Sequence, residues 1–167
     1  MSALRERSLQ VGEVRTPVLE AGPDEPEARV QPQAQHGAPL RTLLYVEDNP
    51  ANLKLVEQLI ARRPTMRLLS ALDGNMGIQL ARASQPEVIL MDINLPGISG
   101  IEALKILRED PATAHIPVLA LSANAMARDI EKGIEAGFFS YLTKPIKVME
   151  FMGALDTAFD FAQKRQR

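Results

Sequence analysis

Residues Glu87 to Gly100 read E-V-I-L-M-D-I-N-L-P-G-I-S-G, and they constrain the fold more than any other stretch. Val88, Ile89, Leu90 and Met91 form a short, unbroken apolar run, as does a strand buried on both faces of a parallel sheet. The run stops at Asp92, and Pro96, Gly97 and Gly100 break the pattern before a helical one begins. Open α/β sheets place their chemistry beyond the carboxyl ends of such strands. Many ordinary turns also start with Asp, so Asp92 alone does not separate a site from a turn.

The rest of the chain supplies the context. Residues 1–39 carry Pro17, Pro23, Pro26, Pro32 and Pro39 with Gly12, Gly22 and Gly37, which interrupt every periodic segment. Such a stretch buries too little apolar surface to offset its ordering entropy, and it reads as a disordered linker. His36 lies within it, and Leu4–Val14 is at most a short helix or strand remnant. From Arg41 the texture changes. Thr42–Val46 reads as a strand ending in Glu47-Asp48, and Asn49-Pro50 caps a helix to about Arg62 with Leu53, Val56, Leu59 and Ile60 inward. Met66–Leu72 is the second strand, and Asp73-Gly74 opens a helix to about Ser84 with Ile78, Leu80 and Ala81 inward. After the Asp92 strand, Ile101–Glu109 forms a helix through Ile101, Leu104, Leu107 and Arg108, stopped by Asp110-Pro111. Pro117–Leu121 is a fourth strand ending in Ser122. Ala127–Ala136 is a helix with Gly137 as its C-cap. Phe139–Leu142 is a fifth strand ending in Thr143-Lys144-Pro145. The last helix, Lys147 to about Gln163, puts Val148, Met152, Leu155, Phe159 and Ala162 on one face.

Five strands alternating with five helices predict an α/β fold: a doubly wound, five-stranded parallel sheet of flavodoxin-like (βα)5 type. The order 2-1-3-4-5 sets the first and third strands side by side at the switch point. The strand ends Glu47-Asp48, Asp92, Ser122 and Lys144 then share one rim. Crowded carboxylates repel unless a cation joins them. With no Cys and only His36 and His115 in 167 residues, zinc is disfavoured, whereas Mg²⁺ prefers oxygen ligands and a phosphate oxygen. Mg²⁺ on Asp48 and Asp92 can hold a phosphoryl group, Lys144 adds a point cation, and Ser122 offers a hydroxyl. Asp92 can then act as nucleophile and form an aspartyl phosphate. The net charge of -2 gives no electrostatic footprint for nucleic acid or an anionic membrane. No apolar stretch approaches the roughly 20 residues of a membrane span and no signal h-region opens the chain, so a cytoplasmic protein is expected.

These residues resemble the receiver domains of two-component response regulators, over roughly Leu40 to Phe161. The matching motifs are Glu47-Asp48, M-D-I-N-L-P-G-I-S-G, L-S-A-N-A at Leu121–Ala125 and Y-L-T-K-P-I at Tyr141–Ile146. The resemblance implies that Asp92 is the phosphoacceptor. Asp48 would ligate Mg²⁺ directly, Glu47 through water, and the main-chain carbonyl of Asn94 would complete the protein ligands. Lys144, beside a cis peptide to Pro145, would contact the phosphoryl group. Ser122, standing where Thr is commoner, would swing toward it, and Tyr141 would turn inward behind. Asn94 and Asn124 would tune the lifetime of the phosphoryl group. The donor would be a histidine kinase or histidine phosphotransfer protein, and the chain would be no enzyme beyond its own phosphorylation and dephosphorylation.

The motifs look most like receivers at the carboxyl end of hybrid sensor histidine kinases, whose preceding linker residues 1–39 also resemble. The expected division is a linker over 1–39, a receiver over 40–163 and a basic tail over 164–167, with no DNA-binding or other effector domain. Phe161, with Ala154 and Ala158 off the core stripe, and Phe138-Phe139 suggest an apolar patch on the helix 4–strand 5–helix 5 face for a downstream protein or a second copy. Two rivals share parts of this chemistry. A flavodoxin needs a phosphate-cradling loop where Glu47-Asp48 stand. An aspartyl-phosphate phosphatase needs its nucleophile on the first strand and an acid two residues on, where this chain has Asn94. A receiver-like structural adaptor would not need the acceptor residues.

Overall fold

Apolar runs bounded by turn residues become strands, and amphipathic runs become the helices that cover them. The computed structural model describes residues 40–124 and 126–165. In chain order the elements are β1 (Arg41–Val46), α1 (Pro50–Ala61), β2 (Met66–Ala71), α2 (Gly74–Ser84), β3 (Val88–Asp92), α3 (Gly100–Glu109), β4 (Val118–Ser122), α4 (Ala127–Ala136), β5 (Ser140–Thr143) and α5 (Val148–Arg165). All strand pairs are parallel, in the order β2-β1-β3-β4-β5, as the sequence predicts. The expected linker over 1–39, His36, Leu4–Val14, and Gln166 and Arg167 of the expected tail lie outside the described residues.

Every position of β3 and β4 is buried, because helices cover both faces of the sheet. Leu43, Tyr45, Leu90, Leu119 and Leu121 pack one core with α1 and α5. Leu44, Val46, Ile89, Met91 and Ala120 pack the other with α2 and α3. The alternation is the two-residue period of a strand.

The helix ends obey their local chemistry. Asn49 Oδ1 accepts from the Ala51 and Asn52 N–H groups ahead of Pro50. Ser99 and Glu102 form a reciprocal capping box on α3. Gly137 ends α4 at φ +115°, a conformation that suits glycine.

Several boundaries and faces differ from expectation. β2 stops at Ala71, the last residue paired with β1. β4 begins at Val118, since Pro117 has no N–H and contributes only its carbonyl, to Ile89. β5 is shifted one residue along, to Ser140–Thr143. α5 continues through Lys164 and Arg165, past the expected helix end near Gln163. Its buried stripe is Phe151, Leu155, Ala158, Phe159 and Ala162, not one starting at Val148, which is 47% exposed. Counting from Phe151 gives the i, i+4, i+7, i+8, i+11 spacing of one helix face. Ala158 thus belongs to the core. Phe138 and Phe139 point to opposite sides of the sheet, Phe138 into the α2/α3 core and Phe139 toward α5, so only Phe139 contributes to the expected patch.

At the edge opposite the strand carboxyl ends, Arg108 ties two loops together. Its guanidinium donates to the carbonyls of Ala114 (2.7 Å), Ile116 (3.0 Å) and Gly137 (2.9 Å). Arg108→Ala should lower stability by about 2 kcal/mol, because carbonyls lose charged donors where water has limited access. A lower urea midpoint with unchanged slope is the expected reading.

Candidate functional site

Register assembles the site. β1 and β3 are aligned so that Val46 pairs with Met91, which sets Glu47 and Asp92 one residue further on both strands. Asp92 pairs with Leu121 on β4, and Ser122 pairs with Thr143 on β5. Lys144 is thereby carried to the same rim, its N–H bonded to the Ser122 carbonyl at 2.8 Å. The Lys144–Pro145 peptide is cis.

Asp92 is 2% exposed. Its Oδ1 accepts the Asn94 N–H at 2.9 Å, and its Oδ2 lies 3.2 Å from Lys144 Nζ. Gly100, the first residue of α3, makes room behind it: a Cβ there would lie 2.6 Å from the Asp92 main-chain oxygen and 2.8 Å from Ile93 Cα. Glu47 is wholly buried. Its Oε1 lies 3.4 Å from Lys144 Nζ and accepts from Tyr45 Oη at 2.7 Å and Asn52 Nδ2 at 3.4 Å, while Oε2 accepts the Asn49 N–H at 3.2 Å. Asp48 is exposed. Glu47, Asp48 and Asp92 each offer an oxygen, all within 4.8 Å of one another. This donor set could hold a hard cation.

Ser122 is buried, and its Oγ accepts the Asn124 N–H at 3.0 Å. Tyr141 is half-buried, and its hydroxyl donates to the Asn124 carbonyl at 3.2 Å. Its ring lies over Gly133 of α4, where a Cβ would meet Cδ2 at 2.6 Å. Asn124 therefore touches both side chains through its main chain. Asn94 is exposed beside Asp92. Sequence reasoning missed Tyr45 and Asn52 as partners of Glu47. Tyr45 reads only as one apolar residue of a strand, and Asn52 as one polar residue of a helix.

Glu47 and Asp92, buried side by side, shift each other's protonation. Burial, followed by a proton shared with Glu47, pushes the Asp92 carboxyl from 3.8 up to about 6, against the pull of the Asn94 N–H and Lys144. Burial also acts to raise Glu47. Hydrogen bonds from Tyr45, from protonated Asp92 and from Asn49, with the charge of Lys144, outweigh it and hold Glu47 below its ordinary value. Burial and the bond to Glu47 drive the Tyr45 hydroxyl far upward.

The family model described as the response regulator receiver domain matches residues 43–156, and the chain belongs to that family. It is 41% identical over 114 residues to the polar-differentiation response regulator DivK of Brucella ovis, covering 67% of this chain and 90% of DivK. Among solved structures it is similar to the receiver domain of a sensor histidine kinase from Pseudomonas aeruginosa, which holds a magnesium ion in its active site cleft. That likeness has a TM-score of 0.66 at 32% identity, over 72% of this chain and 98% of the other. A Francisella response regulator receiver gives 0.67 at 25% identity, over 76% and 99%.

The raised Asp92 carboxyl has a stability consequence of definite sign. Between pH 3.8 and about 6 the folded state binds the additional proton, so this contribution is full at the acidic end and is lost as pH rises. Glu47, shifted the other way, contributes above its unfolded value and loses it on acidification. Asp92→Asn removes the cost of burying that charge beside Glu47. Without metal, at neutral to mildly alkaline pH, the variant should be more stable than the parent by on the order of 2 kcal/mol in urea denaturation. That gap should close as the pH is lowered.

Proposed function

We propose that the chain is a phosphoacceptor receiver of a two-component or phosphorelay system, with Asp92 as the group that is phosphorylated. The observation that carries this reading is Lys144 Nζ at 3.2 Å from Asp92 Oδ2, inside a pocket shared with two further carboxylates. The donor is a histidine-phosphorylated kinase or phosphotransfer protein. One Asp92 oxygen forms the O–P bond as the P–N bond breaks, and the imidazole nitrogen leaves with the electron pair. Lys144 neutralises charge on the phosphoryl oxygens. Ser122 exchanges its Asn124 N–H partner for a phosphoryl oxygen, and Tyr141 moves inward as Asn124 shifts. Asn94 and Asn124 set the lifetime of the aspartyl phosphate. The chain turns over no external substrate.

The pocket fits Mg²⁺, since three acids face one ammonium and burial already holds the Asp92 carboxyl up at about 6. Asp48, Asp92 and the Asn94 carbonyl would hold it directly and Glu47 through water. When bound it would supply charge neutralisation for the attacking carboxylate and the incoming anion. The magnesium in the Pseudomonas receiver's cleft supports this.

Residues 40–163 are proposed as the receiver proper, 1–39 as a linker and 164–167 as a basic end that α5 partly absorbs. Its place is cytoplasmic, as a hybrid kinase's receiver or a separate regulator; no helix among the described residues is long and apolar enough to cross a membrane. Output is proposed through the α4–β5–α5 face. There Phe161, 38% exposed, packs against Phe139 with the rings tilted and centroids 5.1 Å apart, and Ile134 is exposed on α4.

Incubation with acetyl phosphate and Mg²⁺ should add one phosphoryl group to the parent chain by intact mass and none to Asp92→Asn. An unmodified parent would refute the reading. Phe161→Ala should leave that phosphorylation intact while weakening self-association or partner binding in ultracentrifugation. Unchanged association would remove this face from the output.

A further inference from the structure

Tyr45 heads the fully buried side chains in size, and the phosphoryl-transfer chemistry proposed above makes no use of it. Its ring packs in the α1/α5 core, where phenylalanine would fill the same volume. The hydroxyl does something packing does not require. Residues two apart on a strand share a face, so β1 itself aims the Tyr45 O–H along its length at the Glu47 carboxylate, which it meets at 2.7 Å.

The other donors to Glu47 differ in kind. Asn52 and Lys144 are partly exposed, flexible side chains, both at 3.4 Å from Oε1. Lys144 is also engaged by Asp92, so its hold on Glu47 changes with whatever binds there. The Asn49 N–H, at 3.2 Å, takes only the second oxygen. Of these four donors, which hold Glu47 whether or not Asp92 carries a proton, Tyr45 gives the shortest bond and the one from a wholly buried, rigid side chain. Hydrogen-bond partners behind a metal site commonly fix its carboxylates in this way.

We propose that Tyr45 is a positioning residue of the acid pocket: its hydroxyl fixes the orientation of the Glu47 carboxylate and through it the affinity of the pocket for Mg²⁺. The inference rests on the metal-site reading above. The Tyr45 hydroxyl bonds to Glu47 and to neither the attacking carboxylate nor Lys144, so its effect falls on binding of the cation and separates from the chemistry of transfer.

Three variants of the full chain test it: Tyr45→Phe, Glu47→Gln and the two combined, titrated with magnesium chloride by calorimetry at neutral pH. Tyr45→Phe should weaken Mg²⁺ binding about tenfold. Its rate of phosphorylation by acetyl phosphate should return to the parent value once Mg²⁺ is saturating. In the Glu47→Gln background, removing the hydroxyl should change nothing further, because the hydroxyl acts only through that carboxylate. Unchanged affinity overturns the proposal. So does an equal loss in both backgrounds, or a rate that saturating Mg²⁺ does not restore, since either would show a packing role alone. Phenylalanine keeps the ring, and a metal-free circular dichroism melt close to the parent's checks the fold. Independently of any variant, the Tyr45 ring resonances of the parent chain should shift during the Mg²⁺ titration with the calorimetric midpoint; resonances that stand still overturn it. A parent chain that binds no Mg²⁺ at all would instead bring down the metal reading on which this inference stands.

Discussion

Three carboxylates held within 4.8 Å of one another face one ammonium, and much of this structure is arranged to bear that imbalance. Like charges at such separation repel strongly once water is excluded. Solvent is kept from Glu47 and Asp92, so the repulsion is relieved by hydrogen-bond donors. Asn49, Asn52, Tyr45 and Asn94 all aim N–H or O–H groups at the two buried acids. Burial above all, and then the neighbouring Glu47, still lifts the Asp92 carboxyl to about 6. The pocket keeps a standing demand for positive charge.

Holding such a cluster requires a scaffold that does not yield. Two cores, one on each face of the sheet, bury all of β3 and β4, so the strand that ends in Asp92 is clamped from both sides. Gly100 brings the start of α3 against the Asp92 main chain, where no Cβ fits. At the other end of the sheet, Arg108 gathers three carbonyls from two loops. Stability is thus concentrated in the cores and at the amino-terminal edge, which leaves the carboxyl-terminal edge to carry charges that repel. This division is the usual one in parallel α/β sheets, where the loops beyond the strand ends are the variable, functional part.

The fold was legible because it depends on patterns of local period. The apolar run at Val88–Met91, the Asn49-Pro50 cap and Gly137 each name an element through a steric or hydrogen-bonding rule that acts within a few residues. The convergence of Glu47, Asp48, Asp92, Ser122 and Lys144 was legible too, once parallel strands were inferred, since their ends must share a rim. What the sequence concealed depends on contacts it does not encode locally. The stripe of α5 starts at Phe151 and not at Val148 because helix phase is set by the sheet beneath. Phe138 and Phe139 look alike in sequence, yet the strand sends one to each core. Tyr45 reads as an apolar strand residue because its hydroxyl partner, two residues on, matters only when both are buried on one face.

The distribution of packing among the helices bears on how a change at Asp92 could travel. α5 buries five side chains, whereas Gly133 is the sole buried residue of α4, whose N-cap Met126 makes no side-chain hydrogen bond. An element with so little apolar area in the core costs little to displace, and such elements open first. α4 also lies where displacement would matter: its Gly133 receives the Tyr141 ring, and that ring's hydroxyl is held by the same residue, Asn124, that holds Ser122 Oγ. Any group on Asp92 that draws Ser122 away from Asn124 alters the peptide to which Tyr141 is bonded. The weakest-packed helix therefore sits one hydrogen-bonded residue away from the most strongly charged pocket.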